Sequence, residues 1–178
     1  MTDENKIFSA FKENIRREIR KAEKNVHVYI GDSIEEFYNI NKLTFERQGQ
    51  QIPYNFEFLK KIDEACSKEK CRKIFFASDE QNRIHSAIYI IWDEQSAYYL
   101  MGGGDPALRN SGATSLLIWE AIKFSATVTN SFDFEGSMIQ PIERFFSAFG
   151  AVQKNYFNIS KNNSKLLKIR NSISEVLK

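Results

Sequence analysis

The sequence predicts an α/β protein in which a mixed central β-sheet is flanked by helices. Segments whose apolar residues recur at helical spacing alternate with short apolar segments that resemble strands. Three of the strand segments follow one another across short polar breaks, which is typical of antiparallel hairpins. Around residue 104, a strand, a glycine loop and a strongly apolar helix then follow in succession.

Length and composition indicate one soluble domain without metal or disulfide support. The chain has 178 residues, of which 42% are hydrophobic and 27% charged, and its net charge is +2. So small a charge gives little overall attraction for nucleic acid or an anionic membrane. The two cysteines form no Cys/His cluster, so neither a zinc site nor a disulfide framework is expected. We expect a cytoplasmic protein, since the sequence shows neither the apolar core of a signal peptide nor a membrane span.

The first predicted element is a basic amphipathic helix within residues 1–24, ahead of a domain over residues 25–178. Its apolar positions recur every three or four residues and form one narrow stripe: Phe8, Phe11, Ile15, Ile19 and Ala22. An exposed stripe of this kind marks an interface. We therefore expect a homodimer, or docking against a second domain.

The basic side chains of this helix allow two interpretations. They are Arg16, Arg17, Arg20, Lys21 and Lys24. In the commoner case such charges form a solvated face over the apolar stripe. Alternatively, the first four contact phosphates of RNA or of a nucleotide-linked substrate.

The first half of the following domain combines a strand, two helices and three further strands. The predicted strands cover Val26–Ile30, Lys73–Ala77, Ile84–Trp92 and Ser96–Met101. Asp32 and Ser33 are good N-cap residues for a helix that reaches Arg47. Pro53 is expected to begin the next helix, since proline is favoured in the first turn. His27 and His85 lie in strand segments and are expected to be structural.

The second half begins with the glycine loop 102–104 and a buried helix over Ser111–Thr127, whose apolar residues cover most of its circumference. Four shorter elements are predicted after it: a strand over Phe132–Glu135, a helix over Pro141–Phe149, a strand over Val152–Ile159 and a helix over Ser164–Leu177. Trp92 and Trp119 are expected in the core.

The turn before the buried helix is a candidate phosphate site. Free backbone N–H groups and the helix dipole favour an anion there. The candidate residues are Arg109, Asn110, Ser111, Gly112, Ala113 and Thr114. Gly112 would let the backbone approach a phosphate closely. The alternative is an ordinary strand-to-helix turn capped by Ser111.

Two carboxylates form a candidate proton-transfer site. Asp133 and Glu135 alternate with two phenylalanines, so both are expected on one face of a strand. A desolvated Glu135 would be suited to take a proton from an attacking amine. Glu135 could equally be a structural partner of Arg109, Arg144 or Lys123, and for Asp133 the structural role is favoured.

Residues Pro106–Leu117 resemble the acyl-CoA signature of the GNAT superfamily, Gln/Arg-x-x-Gly-x-Gly/Ala. Arg109 and Gly112 fall in register, Ala113 occupies the free position, and Thr114 stands where the family prefers glycine or alanine. The resemblance implies the GNAT fold and an acyl donor held at this turn.

Three further segments look like the FemAB-type branch of that superfamily. They are Asn14–Lys24, Tyr98–Gly103 and Phe132–Ser137. Full-length members usually carry two GNAT-like domains, and this chain is similar to the second. The likeness implies an N-acyltransferase whose donor is acyl-CoA or aminoacyl-tRNA and whose acceptor is an amine.

The position of the family's tyrosine acid is occupied by Phe146, which has no proton to donate. Either Tyr98, Tyr99 or Tyr156 serves instead, or the leaving group needs no acid. Glu135 is the candidate base, and backbone N–H groups near Ser96–Met101 are expected to stabilise the oxyanion. The alternative function is a catalytically silent GNAT-like module that binds a protein or RNA partner.

Overall fold

The structure is a computed structural model, and it describes residues 3–155, 159, 161, 163 and 164. Its helices are α1 (Glu4–Ala10), α2 (Glu13–Ala22), α3 (Ile34–Arg47), α4 (Phe56–Lys68), α5 (Ala113–Val128) and α6 (Gln140–Ser147). Its strands are β1 (His27–Gly31), β2 (Arg72–Ser78), β3 (Ile84–Trp92), β4 (Ser96–Gly104) and β5 (Ser131–Asp133).

The five strands form one sheet in the order β1-β2-β3-β4-β5. Strands β1 to β4 pair antiparallel, and β5 joins β4 in parallel. The parallel pair is possible because α5 carries the chain back across the sheet between the two strands. This arrangement confirms the predicted mixed sheet flanked by helices.

Each face of the sheet is covered by its own group of helices. On one face α2, α5 and α6 enclose a core that contains Ile88, Leu117 and the predicted core residue Trp119. On the other face α3 and α4 pack through Phe37 and Leu59. Each fully buried side chain of this size contributes about 1.5–3 kcal/mol.

The predicted first helix is divided in two at Phe11, which has extended backbone dihedrals. The Phe11 ring packs edge-on against Trp119 and Phe149, with ring centroids 5.3 and 5.2 Å apart. The next residue, Lys12, donates its N–H to the carbonyl of Ala148 at 2.8 Å. The uninterrupted helix was therefore wrong, because docking onto the end of α6 replaces a helical turn.

The apolar stripe of this segment is buried within the chain. Phe11, Ile15 and Ile19 are at most 2% exposed and belong to the core around α5. The homodimer was predicted from an uncovered stripe, and the prediction that these residues are uncovered was wrong.

Several predicted boundaries also differ from the structure. Helix α4 begins after Pro53, because the Asn55 side chain accepts the N–H of Phe58 and caps it. The glycines 102–104 are the end of β4 and not a loop. The predicted strand over Val152–Ile159 is absent at 152–155. The rest of it, apart from Ile159, and the predicted helix after Ser164 lie outside the described residues.

Candidate active site

Strand β5 ends soon after it joins β4. They pair at only three positions, from Ser96 with Ser131 to Tyr98 with Asp133, whereas β4 continues to Gly104. Over the described part of the chain, no strand covers the outer edge of β4 after Tyr98. The stretch of this edge from Tyr99 to Met101, which β5 leaves without a partner, is the opening of the candidate site.

A β-bulge lies in β4 at the start of this opening. Tyr99 pairs with Ile90 and Met101 pairs with Tyr89, so Leu100 is the extra residue. A bulge leaves its extra residue outside the ladder of hydrogen bonds. It also shifts the alternation of side chains by one, which places Tyr99 and Gly102 on the same face of the sheet.

The end of β4 is fastened to α3 by side chains that the sequence analysis did not identify. The Asn41 amide donates to the Gly102 carbonyl at 2.8 Å, and the Tyr54 hydroxyl donates to Asn41 Oδ1 at 2.5 Å. The pKa of Tyr54 is raised to about 12, mainly because the phenol is buried and secondly because Tyr38 lies nearby. A Cβ on Gly103 would lie 2.5 Å from the Cα of Asn41, so only glycine allows this close contact.

The predicted phosphate turn follows directly. Residues Arg109–Ser111 form one turn of 3-10 helix, and α5 begins at Ala113. Gly112, and not Ser111, occupies the N-cap position, while the Ser111 hydroxyl accepts the N–H of Ala113 at 3.3 Å. The Thr114 hydroxyl lies 2.9 Å from Ser86 Oγ on β3. It is therefore held against the sheet and does not crowd the turn.

Helix α2 packs against the same turn. Lys21 Nζ donates to the Asn110 carbonyl, and the Ser115 hydroxyl donates to the Glu18 carboxylate at 2.9 Å. A Cβ on Gly112 would lie 2.5 Å from the Glu18 carbonyl oxygen. The glycine is thus explained by contact with α2, where the sequence analysis had invoked approach of a phosphate.

Most of the basic residues proposed to bind RNA contact the chain itself. The Arg16 guanidinium donates to the Ser9 carbonyl at 3.2 Å, and Arg20 lies over the Phe8 ring at 5.7 Å. Lys21 contacts the turn at Asn110. These contacts favour a role in fixing α1 and the turn.

The two candidate carboxylates do not share a strand face as predicted. Strand β5 ends at Asp133, and Glu135 lies beyond it with a φ of 60°. The Glu135 N–H donates to Asp133 Oδ1 at 2.7 Å, which closes a tight turn. Both side chains are exposed, so Glu135 is not desolvated. Neither forms an ion pair among the residues that the structure describes.

The candidate tyrosines lie in different surroundings. The Tyr98 hydroxyl donates to Asp93 Oδ2 at 3.0 Å, and this bond raises the pKa of Tyr98. The Tyr99 ring packs on Phe146 with ring centroids 5.4 Å apart, and burial raises the pKa of Tyr99 well above its ordinary value. Tyr156 lies outside the described residues.

The histidines have structural partners. His27 Nε2 lies 2.9 Å from Ser78 Oγ, and His85 Nε2 lies 3.1 Å from the Asp79 carboxylate. Within the described ranges, His, Cys, Asp and Glu side chains form no group able to hold a metal ion. In the same ranges, none of the helices combines the length and the apolarity that crossing a membrane requires.

A family model described as an acetyltransferase (GNAT) domain matches residues 9–136. Among solved structures, FemX superposes with a TM-score of 0.74 and 12% identity, over 84% of this chain and 56% of the FemX chain. The chain thus spans little more than half the length of FemX. No curated protein sequence matches the chain.

Shorter structures match over almost their whole length. An aminoglycoside 6'-N-acetyltransferase, AAC(6')-Ih from Acinetobacter baumannii, gives a TM-score of 0.57 at 12% identity, over 78% of this chain and 99% of its own. A GNAT family acetyltransferase from Staphylococcus aureus gives a TM-score of 0.52 at 14% identity, over 78% of this chain and 99% of its own. At such identities the likeness shows the fold alone.

Proposed function

Because the chain belongs to the GNAT acetyltransferase domain family, we propose that it is an N-acyltransferase that transfers an acyl group from a phosphate-bearing donor to an amine. The observation that carries the proposal is the opening beside β4, where β5 has ended and β4 continues toward the turn before α5. An extended donor can lie beside β4 from Tyr99 to Met101, ahead of the groups of Gly102 and Gly104 that α3 binds, with its phosphates at that turn. We place the protein with the FemAB-type branch, supported by the superposition on FemX, and in the cytoplasm.

The turn over Arg109–Thr114 fits the phosphates of coenzyme A. Arg109 and Asn110 are exposed, and the Thr114 hydroxyl is held by Ser86 and away from the turn. The start of α5 supplies N–H groups and the positive end of a helix of 16 residues. Bound acyl-CoA would supply a thioester, which is an activated acyl group. Aminoacyl-tRNA is the alternative donor, since its phosphates suit the same arginine, Arg109, and the same N–H groups of α5.

The bulge in β4 supports the proposed chemistry. When the amine attacks the acyl carbonyl, negative charge develops on the carbonyl oxygen. A backbone N–H that is not committed to the ladder can donate to that oxygen, and Leu100 is the residue that the bulge sets free. Asn41 and Thr44 fix the end of the same strand through Gly102 and Gly104, which keeps the edge in place.

Glu135 is the proposed base. It lies just beyond β5, at the border of the opening, and its exposed side chain can pass a proton to solvent. Its backbone is held in place by the hydrogen bond to Asp133. The proton taken from the attacking amine would leave the site by this route.

Glu135→Gln is expected to lower kcat about 100-fold, the lower range for loss of a general base. Release of thiol from acetyl-CoA across a panel of primary amines measures this. Glu94→Gln, an exposed change in the β3–β4 turn, is the matched control and should retain full activity. A Glu135→Gln rate equal to that of the unmodified protein would show that Glu135 is not the base.

One observation favours the second candidate, a silent module that binds a protein or RNA partner. The Glu18 carboxylate bonds to Ser115 in the first turn of α5, where it places a negative charge near the proposed phosphates. Under that alternative, the protein would neither bind acetyl-CoA nor release thiol from it with any amine in the panel.

A further inference from the structure

We propose that Tyr99 is the general acid of the reaction, donating its phenolic proton to the departing sulfur of the acyl donor. This inference rests on the proposed acyl transfer and identifies a residue within that site. Three observations carry it: the position of the phenol at the opening, its lack of a competing partner, and its protonation state.

The phenol lies where β5 ends beside β4. Tyr98 is the last residue of β4 paired with β5, so Tyr99 is the first residue at the opening. The bulge at Leu100 brings Tyr99 and Gly102 to one face, and the space of a Gly102 side chain is filled by the Tyr99 hydroxyl. The hydroxyl therefore points along β4 toward the proposed phosphate turn.

Packed aromatic rings hold the Tyr99 ring in place. The Tyr99 ring meets Phe146 of α6 at an interplanar angle of 63°, and Phe146 in turn packs on Phe134, just after β5, at 5.0 Å. Phe146 is 9% exposed and Phe134 is 9% exposed, so both rings belong to the core. The Tyr99 ring thus rests against packed rings from α6 and from the residue that follows β5.

The Tyr99 hydroxyl is free to donate. No hydrogen bond joins it to another group in the described part of the chain, whereas the neighbouring hydroxyls of Tyr98 and Tyr54 donate to Asp93 and Asn41. Burial raises the pKa of Tyr99, which keeps the phenol protonated through the neutral and mildly alkaline range. The Tyr99 proton is therefore available for donation, whereas the hydroxyl protons of Tyr98 and Tyr54 already take part in hydrogen bonds.

The amine nitrogen forms a bond to the acyl carbon, and the carbon–sulfur bond breaks with both electrons left on sulfur. The Tyr99 O–H proton passes to that sulfur, so the donor leaves as a neutral thiol. The proton lost by the amine then restores the phenol through Glu135 or solvent. No oxidant or further reactant is needed.

Binding of the thiol product tests the inference without turnover. Calorimetric titration should give a several-fold higher affinity for coenzyme A than for desulfo-coenzyme A, because one hydrogen bond to sulfur is lost in the second ligand. In Tyr99→Phe the two affinities should become equal, while Tyr98→Phe should retain the difference. Equal affinities in the unmodified protein would overturn the proposal without any variant.

Steady-state kinetics provide a second test of the role of Tyr99. Tyr99→Phe keeps the ring contacts, so its Tm should be unchanged, while kcat should fall about 100- to 1,000-fold with little change in KM for acetyl-CoA. Moving the hydroxyl to the adjacent ring, in Tyr99→Phe/Phe146→Tyr, should recover at least 10-fold. Unchanged kcat in Tyr99→Phe would overturn this inference alone. Failure of the unmodified protein to bind coenzyme A would instead overturn the proposed function.

Discussion

Gly112→Ala is expected to lower the free energy of unfolding by about 2–5 kcal/mol and to loosen α2. Two costs add up. The φ of 80° at this residue disfavours any side chain by about 1–2 kcal/mol. The new Cβ would also lie 2.5 Å from the Glu18 carbonyl oxygen, and relieving such overpacking costs about 1–3 kcal/mol. Denaturant unfolding measures the difference.

Gly49→Ala separates the two costs. Gly49 has a similar φ of 67°, but a Cβ there would meet nothing within 4 Å. This control should therefore show only the backbone penalty of about 1–2 kcal/mol. If Gly112→Ala costs no more than Gly49→Ala, the close contact of α2 with the turn is contradicted.

Asp63→Ala is expected to destabilise the protein by about 3–5 kcal/mol, the range for removing one partner of a buried ion pair. Asp63 is 7% exposed, and its carboxylate lies 3.0 Å from Arg72 Nε. It also accepts the Tyr89 hydroxyl at 2.9 Å. Without it, the Tyr89 phenol would lack its hydrogen-bond partner, and the guanidinium would keep only the exposed Asp32.

Asp32→Ala is the matched control, because Asp32 contacts the same guanidinium at 2.7 Å but its side chain is 89% exposed. An exposed pair contributes about 0–1 kcal/mol, so this variant should unfold almost as the unmodified protein does. Equal losses in the two variants, measured by urea unfolding, would contradict the assignment of Asp63 as the buried partner.

Local signals predicted the fold well where they act within one element. The Ser33 side chain caps α3 through the N–H of Glu36, as its position before an acidic first turn indicated. The strands β2 to β4 follow from apolar segments and polar breaks. The division at Phe11 could not be predicted, because the ring is drawn to Trp119, more than a hundred residues away in sequence. Tertiary packing outweighs helix propensity there.

Residues of the candidate site were likewise predictable only where the sequence carries a local signal. The turn over Arg109–Thr114 was found by its motif, yet the reason for Gly112 lies in α2 and leaves no local signal. Asn41 and Tyr54 were missed, since an asparagine in a helix reads as a surface residue until its buried contact with Gly102 is known. For Glu135, alternation with phenylalanines suggested a strand, but β5 ends two residues earlier.

We propose that the opening beside β4 and the turn before α5 hold an acyl donor. Calorimetric titration with acetyl-CoA tests it most directly. We expect one saturable site with a dissociation constant of about 1 μM to 1 mM, the range usual for enzyme substrates, and weaker binding as salt screens the positive charge at the turn. Absence of saturable binding up to millimolar acetyl-CoA would contradict it.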